Sequence, residues 1–260
     1  MLPVRAAGRP DAAGPVDLVL FTVKAYDVEP AGAAIRPAVG PETAVLCLQN
    51  GVDTEARLAA VLGPRAVLGG VTYVSAAIEA PGVIRHTGLR GDVVMGEMDG
   101  QMTARVRVIS STLRRAGAQV NVTKDIVRVL WEKFVFICAM GGMTALTRLG
   151  MGEVFAYPES RAMFRGLMEE AAAVGRARGI ALAGVVDRHM RFMEDRIGAE
   201  PEMRASLHHD LAAGRRMELD ALCGAVVRMG RDAGVPTPLS VAVVAALRPH
   251  ERKAAAAARG

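Results

Sequence analysis

The chain has 260 residues, 51% of them hydrophobic, and a formal net charge of +5. That length buries one large core or two smaller ones, and aromatic side chains, 4% of the total, contribute little to either. The scattered basic charge suits an anionic small molecule. The absence of interleaved aromatics and of a nucleic-acid motif argues against nucleic acid, and no stretch reaches the ~18 consecutive apolar residues of a membrane span.

Residues 16–23 form an apolar run ending at Lys24, the pattern of a parallel strand buried on both faces. A helix over 27–38 follows, then a strand over 44–48 closed by Gln49-Asn50-Gly51. Next come a helix over 53–62, capped in the turn before it, and a strand over 66–74. This alternation predicts a doubly wound α/β sheet. Pro81-Gly82 marks a turn, 83–86 and 92–95 read as short antiparallel strands, 101–116 as an amphipathic helix and 119–122 as a last strand.

Beyond residue 123 strand signals nearly vanish, and helices are predicted over 125–148, 158–178, 183–196 and 202–234. Pro236 and Pro238 break the chain before a final helix over 239–247, and the Ala-rich, charged tail 251–260 is expected to fray. The expected organisation is a partial α/β domain over 1–122 and an all-helical domain over 123–260. Cys47, Cys138 and Cys223 lie far apart in apolar stretches and read as buried free thiols. Residues 1–5 carry no signal-peptide core, so a soluble, cytoplasmic protein is expected.

Lys133 lies inside an apolar helical run, in Trp131-Glu132-Lys133-Phe134. A buried ammonium must be paired or used; taken alone, Lys133 reads as a lysine snorkelling to water. Ser206, Asp210 and Glu218 offer a hydroxyl and two carboxylates. On one continuous helix Ser206 and Asp210 share a face, and Glu218 drifts about 80° from Asp210. All three meet one cleft only if the helix edge borders it or Gly214 bends it. Taken alone, Asp210 and Glu218 read as surface carboxylates pairing with Arg215 or Arg216.

Met140 and Thr144 lie nearly in line with Lys133. Thr144 either offers its hydroxyl to a ligand or bonds it back to the preceding turn. Gly141-Gly142 marks a bend, close packing or room for a ligand, at a cost of about 1 kcal/mol per residue to the helix. His208 and His209 point apart on a helix, so no metal is expected. Asn50 before Gly51 is an ordinary turn signal. Lys24, at the carboxyl edge of its strand, is either surface charge or a nucleotide contact. No G-x-G-x-x-G turn follows the first strand. Either the domain binds no dinucleotide, or its first βαβ unit is not in this chain.

Val23-Lys24, Gln49-Asn50-Gly51, Trp131-Glu132-Lys133, the Ser206, Asp210 and Glu218 spacing, and Gly234-Val235-Pro236-Thr237-Pro238 occur in this order. Together they make residues 15–248 resemble the ketopantoate reductase (2-dehydropantoate 2-reductase) family. The resemblance implies an N-terminal NADP-binding domain, a C-terminal helical domain and a substrate in the cleft between them. It implies NADPH-dependent reduction of a 2-oxo acid, in pantothenate biosynthesis. Lys133 would be the general acid. Asn50, Ser206 and Asp210 would sit at the substrate, with Thr144 as a substitute hydroxyl. Lys24, Asn50, Ala76 and Glu218 would sit on the cofactor side, Glu218 also orienting Lys133.

Two departures stand out. The sequence begins just before the strand that carries Lys24, so the glycine turn is missing from it. Family pocket asparagines are replaced by Ile137, Gly141 and Met151, which points to another 2-oxo acid. The expected partner is that small acid; neither nucleic acid nor membrane is expected, and a homodimer is left open. The rival expectation is a non-catalytic remnant, unable to bind NADPH, serving as a dimerisation or binding module.

Overall fold

The computed structural model describes residues 6–74, 76–86 and 91–257. Residues 1–5, on which the signal-peptide expectation falls, and the tail's last three, 258–260, lie outside the described residues. The chain divides into two compact units, Met1–Leu130 and Trp131–Gly260.

In the first unit the apolar runs become β1 (Leu18–Phe21), β2 (Ala44–Cys47) and β3 (Val67–Tyr73), joined through α1 (Val28–Ile35) and α2 (Thr54–Leu62). These three strands are parallel and adjacent, with Phe21 opposite Cys47 and Val45 opposite Val67. All four residues of β2 are buried. Val45 and Cys47 join Phe21, Val28, Leu58 and Val67 on one face. Ala44 and Leu46 join Leu68, Met95, Val106 and Ile109 on the other. Burial on both faces is why β2 reads as an unbroken apolar run. Gly70 lets β3 approach β2 closely: a Cβ there would meet the Cys47 carbonyl at 2.5 Å.

Beyond β3 the chain forms β4 (Ala76–Ala80) and β5 (Val83–His86), a separate antiparallel hairpin around Gly82. The alanine-rich β4 was not foreseen, because it lacks the β-branched and aromatic residues that announce strands. Then come β6 (Asp92–Gly96), antiparallel to β3, α3 (Ala104–Arg115) and β7 (Gln119–Val122), parallel to β6. The sheet order is β1-β2-β3-β6-β7.

α4 (Ile126–Thr147) continues into the helical unit, followed by α5 (Met151–Ala156), α6 (Pro158–Ala177) and α7 (Val185–Ile197). By length and composition α4 passes for a membrane span, but 67% of its most apolar window is buried inside the protein, which marks a core helix. Phe134, Met143, Phe164, Leu167 and Met168 are almost fully buried in this unit.

The helix expected over 202–234 is instead broken into α8 (Ser206–Ala212), a 3-10 turn (Leu219–Ala221) and α9 (Cys223–Ala233). The break contains Gly214 at φ 64°, a left-handed conformation that glycine adopts without steric cost. The last helix, α10 (Pro238–Ala257), runs well past the expected end at 247. It continues through Pro249, and Leu247, Glu251 and Ala254 are buried along it, so the expected fraying is not seen up to Ala257. All three cysteines are free and buried.

Candidate active site

α4 fixes Lys133 from behind. Trp131, Phe134 and Val135 are buried around it, while Lys133 and Ile137 are half-buried. Burial draws the Lys133 ammonium down from its usual 10.5 to about 8, and the Glu218 carboxylate resists that fall. Glu218 is itself buried.

The break after α8 is what returns Glu218 to α4. Arg215 N donates to the Asp210 carbonyl at 2.8 Å, and Arg215 Nε donates to the Asp210 carboxylate at 2.9 Å. These bonds close α8 around Gly214, and the chain turns. At its other end α8 is pinned to α4. Ala205 N donates to Thr144 Oγ1 at 3.4 Å, and His208 Nδ1 lies 2.9 Å from the Thr144 carbonyl. A Cβ on Gly141 would meet Leu207 at 3.5 Å and Leu222 at 3.9 Å. Exposed Ser206, the first residue of α8, therefore lies alongside the Gly141-to-Thr144 turn. Eight residues separate Lys133 from Gly141, roughly 12 Å along the axis.

Lys133 and Glu218 are thus brought together, and Ser206 stands two turns along α4. One expectation needs correction. The Thr144 side chain is fully buried, and its hydroxyl donates to the Met140 carbonyl at 2.8 Å while accepting from Ala205 N. It is committed to the backbone rather than offered to a substrate. Asp210 is buried, and its carboxylate pairs with Arg215 in the clasp that ends α8. Met151 is also fully buried. Gly142 serves close packing: a Cβ there would meet Val243 at 3.3 Å and Cys223 at 3.4 Å.

On the sheet unit, Lys24 and Asn50 each lie three residues beyond the paired Phe21 and Cys47, and Leu48 N donates to the Phe21 carbonyl at 3.1 Å. The register therefore brings both half-buried residues to the same carboxyl edge. Ala76, the exposed first residue of β4, follows the carboxyl end of β3.

Sequence reasoning missed three neighbours at this edge. Gln49 and Thr54 are buried, and both ends of the Gln49 amide and the Thr54 hydroxyl find no hydrogen-bond partner among the described residues. One oxygen of buried Glu55 is likewise unpartnered, and burial pushes its carboxyl up to about 7. Unpaired buried polar groups cost about 1–3 kcal/mol each. Such groups beside Lys24 and Asn50, at the carboxyl edge of parallel strands, fit a nucleotide cofactor. The one available signal was a glutamate in the first turn of a helix whose apolar face must be buried. Among the described residues no group of three or more His, Cys, Asp or Glu is arranged to hold a metal ion.

Comparison with known proteins bears on the whole chain. The family described as "Ketopantoate reductase PanE/ApbA" matches residues 1–100, and "Ketopantoate reductase PanE/ApbA C terminal" matches residues 125–251. The 2-dehydropantoate 2-reductase of Mesorhizobium japonicum is 35% identical over 269 residues, covering 95% of this chain and 81% of its own length. That of Caulobacter vibrioides is 34% identical, covering 94% and 80%. A solved PanE/ApbA family ketopantoate reductase from Ralstonia eutropha superposes with a TM-score of 0.86 at 34% identity, over 96% of this chain and 81% of that one. A D-mandelate dehydrogenase shares the fold, with a TM-score of 0.84 at 23% identity. With both halves of the chain matched, this protein belongs to the ketopantoate reductase family.

Proposed function

We propose that this protein reduces the ketone of a 2-oxo acid, with NADPH as hydride donor and Lys133 as proton donor. The observation that carries the reading is the sheltered Lys133 ammonium, drawn to about 8 and answered by Glu218. An acid with a pKa near the working pH is both protonated and ready to release its proton. As the ketone oxygen becomes an alkoxide, its attraction to the ammonium grows, so the interaction favours the transition state over bound substrate. Glu218 keeps enough of the amine charged for the task. The exposed Ser206 hydroxyl donates to the substrate carboxylate.

On the sheet unit Lys24 supplies a cation for the cofactor phosphates. The Asn50 and Gln49 amides and the Thr54 hydroxyl supply polar contacts, and Ala76 stands on the cofactor side. The bound nicotinamide contributes the hydride. Relatives named 2-dehydropantoate 2-reductase support a 2-oxo acid as the substrate class.

The test is direct. Calorimetric titration of the chain with NADPH should give saturable binding, and adding a 2-oxo acid should consume NADPH. A chain that neither binds NADPH nor oxidises it with any 2-oxo acid contradicts the proposal and favours a non-catalytic binding module.

A further inference from the structure

The surface of α4 beside Lys133 has a composition that bears on the substrate. Ile137 is half-buried and about 40° around the helix from Lys133. Met140, almost in line with Lys133, is 9% exposed. Gly141 is buried and carries no side chain, and a Cβ there would already touch Leu207 at 3.5 Å and Leu222 at 3.9 Å. The hydroxyls on α4 past Lys133 belong to Thr144 and Thr147. The first donates to the Met140 carbonyl at 2.8 Å and the second to the Met143 carbonyl at 2.7 Å. Each also accepts from a backbone N–H, of Ala205 and of Leu149. The Cys138 thiol is buried. The stretch between the proton donor and Ser206 is therefore a hydrocarbon floor.

Resting on the assignment of Lys133 as proton donor, we infer that the preferred substrate is a 2-oxo acid whose skeleton beyond the ketone is purely hydrocarbon, branched aliphatic or aryl, with no hydroxyl. A hydroxyl laid on this floor loses water and gains no partner from α4, a penalty worth roughly a 10- to 100-fold loss in kcat/KM. An alkyl or aryl group meets Ile137 and Met140 and is favoured by leaving water.

The experiment compares kcat/KM at saturating NADPH for three acids: 2-dehydropantoate, 3,3-dimethyl-2-oxobutanoate (the same skeleton without the hydroxyl) and phenylglyoxylate. The inference expects the hydroxyl-free aliphatic acid to exceed 2-dehydropantoate by tenfold or more. Ile137→Asn should raise the ratio of 2-dehydropantoate to 3,3-dimethyl-2-oxobutanoate by about tenfold. A general loss of stability does not move that ratio, and the wild-type comparison stands without the variant. Wild-type preference for 2-dehydropantoate overturns the inference and leaves the reductase reading intact. No turnover of any of the three, with no NADPH binding, overturns both.

Discussion

A lysine sheltered on a helix and a glutamate buried at a sheet edge each tie ionisation to stability, and the two act in opposite pH ranges. Lys133 has a folded value of about 8 against an ordinary 10.5. Below pH 8 it is charged in both folded and unfolded states, and the cost of sheltering the charge is fully present. As pH rises from 8 to 10.5 the folded form is already neutral, and the cost fades. Lys133→Met should therefore raise the melting temperature at pH 7, with the gain shrinking towards pH 10. Equal melting temperatures at pH 7 would contradict the burial assigned to it. Glu55 has a folded value of about 7 against 4.5. Its penalty is absent below 4.5 and complete above 7, worth up to about 3 kcal/mol. Chemical denaturation at pH 5 and pH 8 should show the wild type losing stability and Glu55→Gln losing much less. Parallel losses in both proteins would count against it.

The α8–α9 segment shows how one element's geometry governs the site. Gly214 at φ 64° lets the chain turn after the Asp210–Arg215 clasp, and the turn brings Glu218 to Lys133. Gly214→Ala should destabilise the protein by about 1 kcal/mol. It should also shift the alkaline limb of the pH–rate profile to lower pH, because a displaced Glu218 no longer holds the proton on Lys133. A melt lowered with the limb unmoved would mean that this turn does not position Glu218.

The sequence revealed this segment only in part. Apolar residues such as Leu207, Leu211, Leu219 and Leu222 keep a helix-like spacing across the break, so periodicity alone reads one helix. The turn depends on a glycine conformation and a salt bridge, which periodicity does not register. The strands were legible because β1, β2 and β3 are apolar over short, bounded runs, but β1 is not buried on both faces as expected: it is the edge strand, and Leu20 is 50% exposed. β4 was not, since Ala76, Ala77 and Ala80 carry no strand preference. Helical arithmetic puts Thr144 in line with Lys133, yet its hydroxyl is held by the backbone of Met140 and of Ala205, the latter sixty-one residues away.

Across the whole chain, composition and packing mark different borders. Strand signals end near residue 123, whereas the two compact units meet at Leu130 and Trp131, within α4. Ile126 and Leu130 pack with Val71 of the sheet unit, so the first turns of α4 belong to that core. Lys24→Ala should weaken NADPH binding about tenfold, through loss of one charge-assisted phosphate contact. Unchanged affinity in calorimetry would remove Lys24 from the cofactor assignment. The sheltered amine itself is tested most directly by the pH dependence of kcat/KM for the reduction, in the wild type and in Lys133→Ala with an unchanged circular dichroism spectrum. The wild type should hold a plateau and then fall about tenfold per pH unit above about 8. The variant should lose at least about 100-fold on the plateau, and that limb with it. Near-normal turnover in Lys133→Ala, with the alkaline fall retained, would contradict the account.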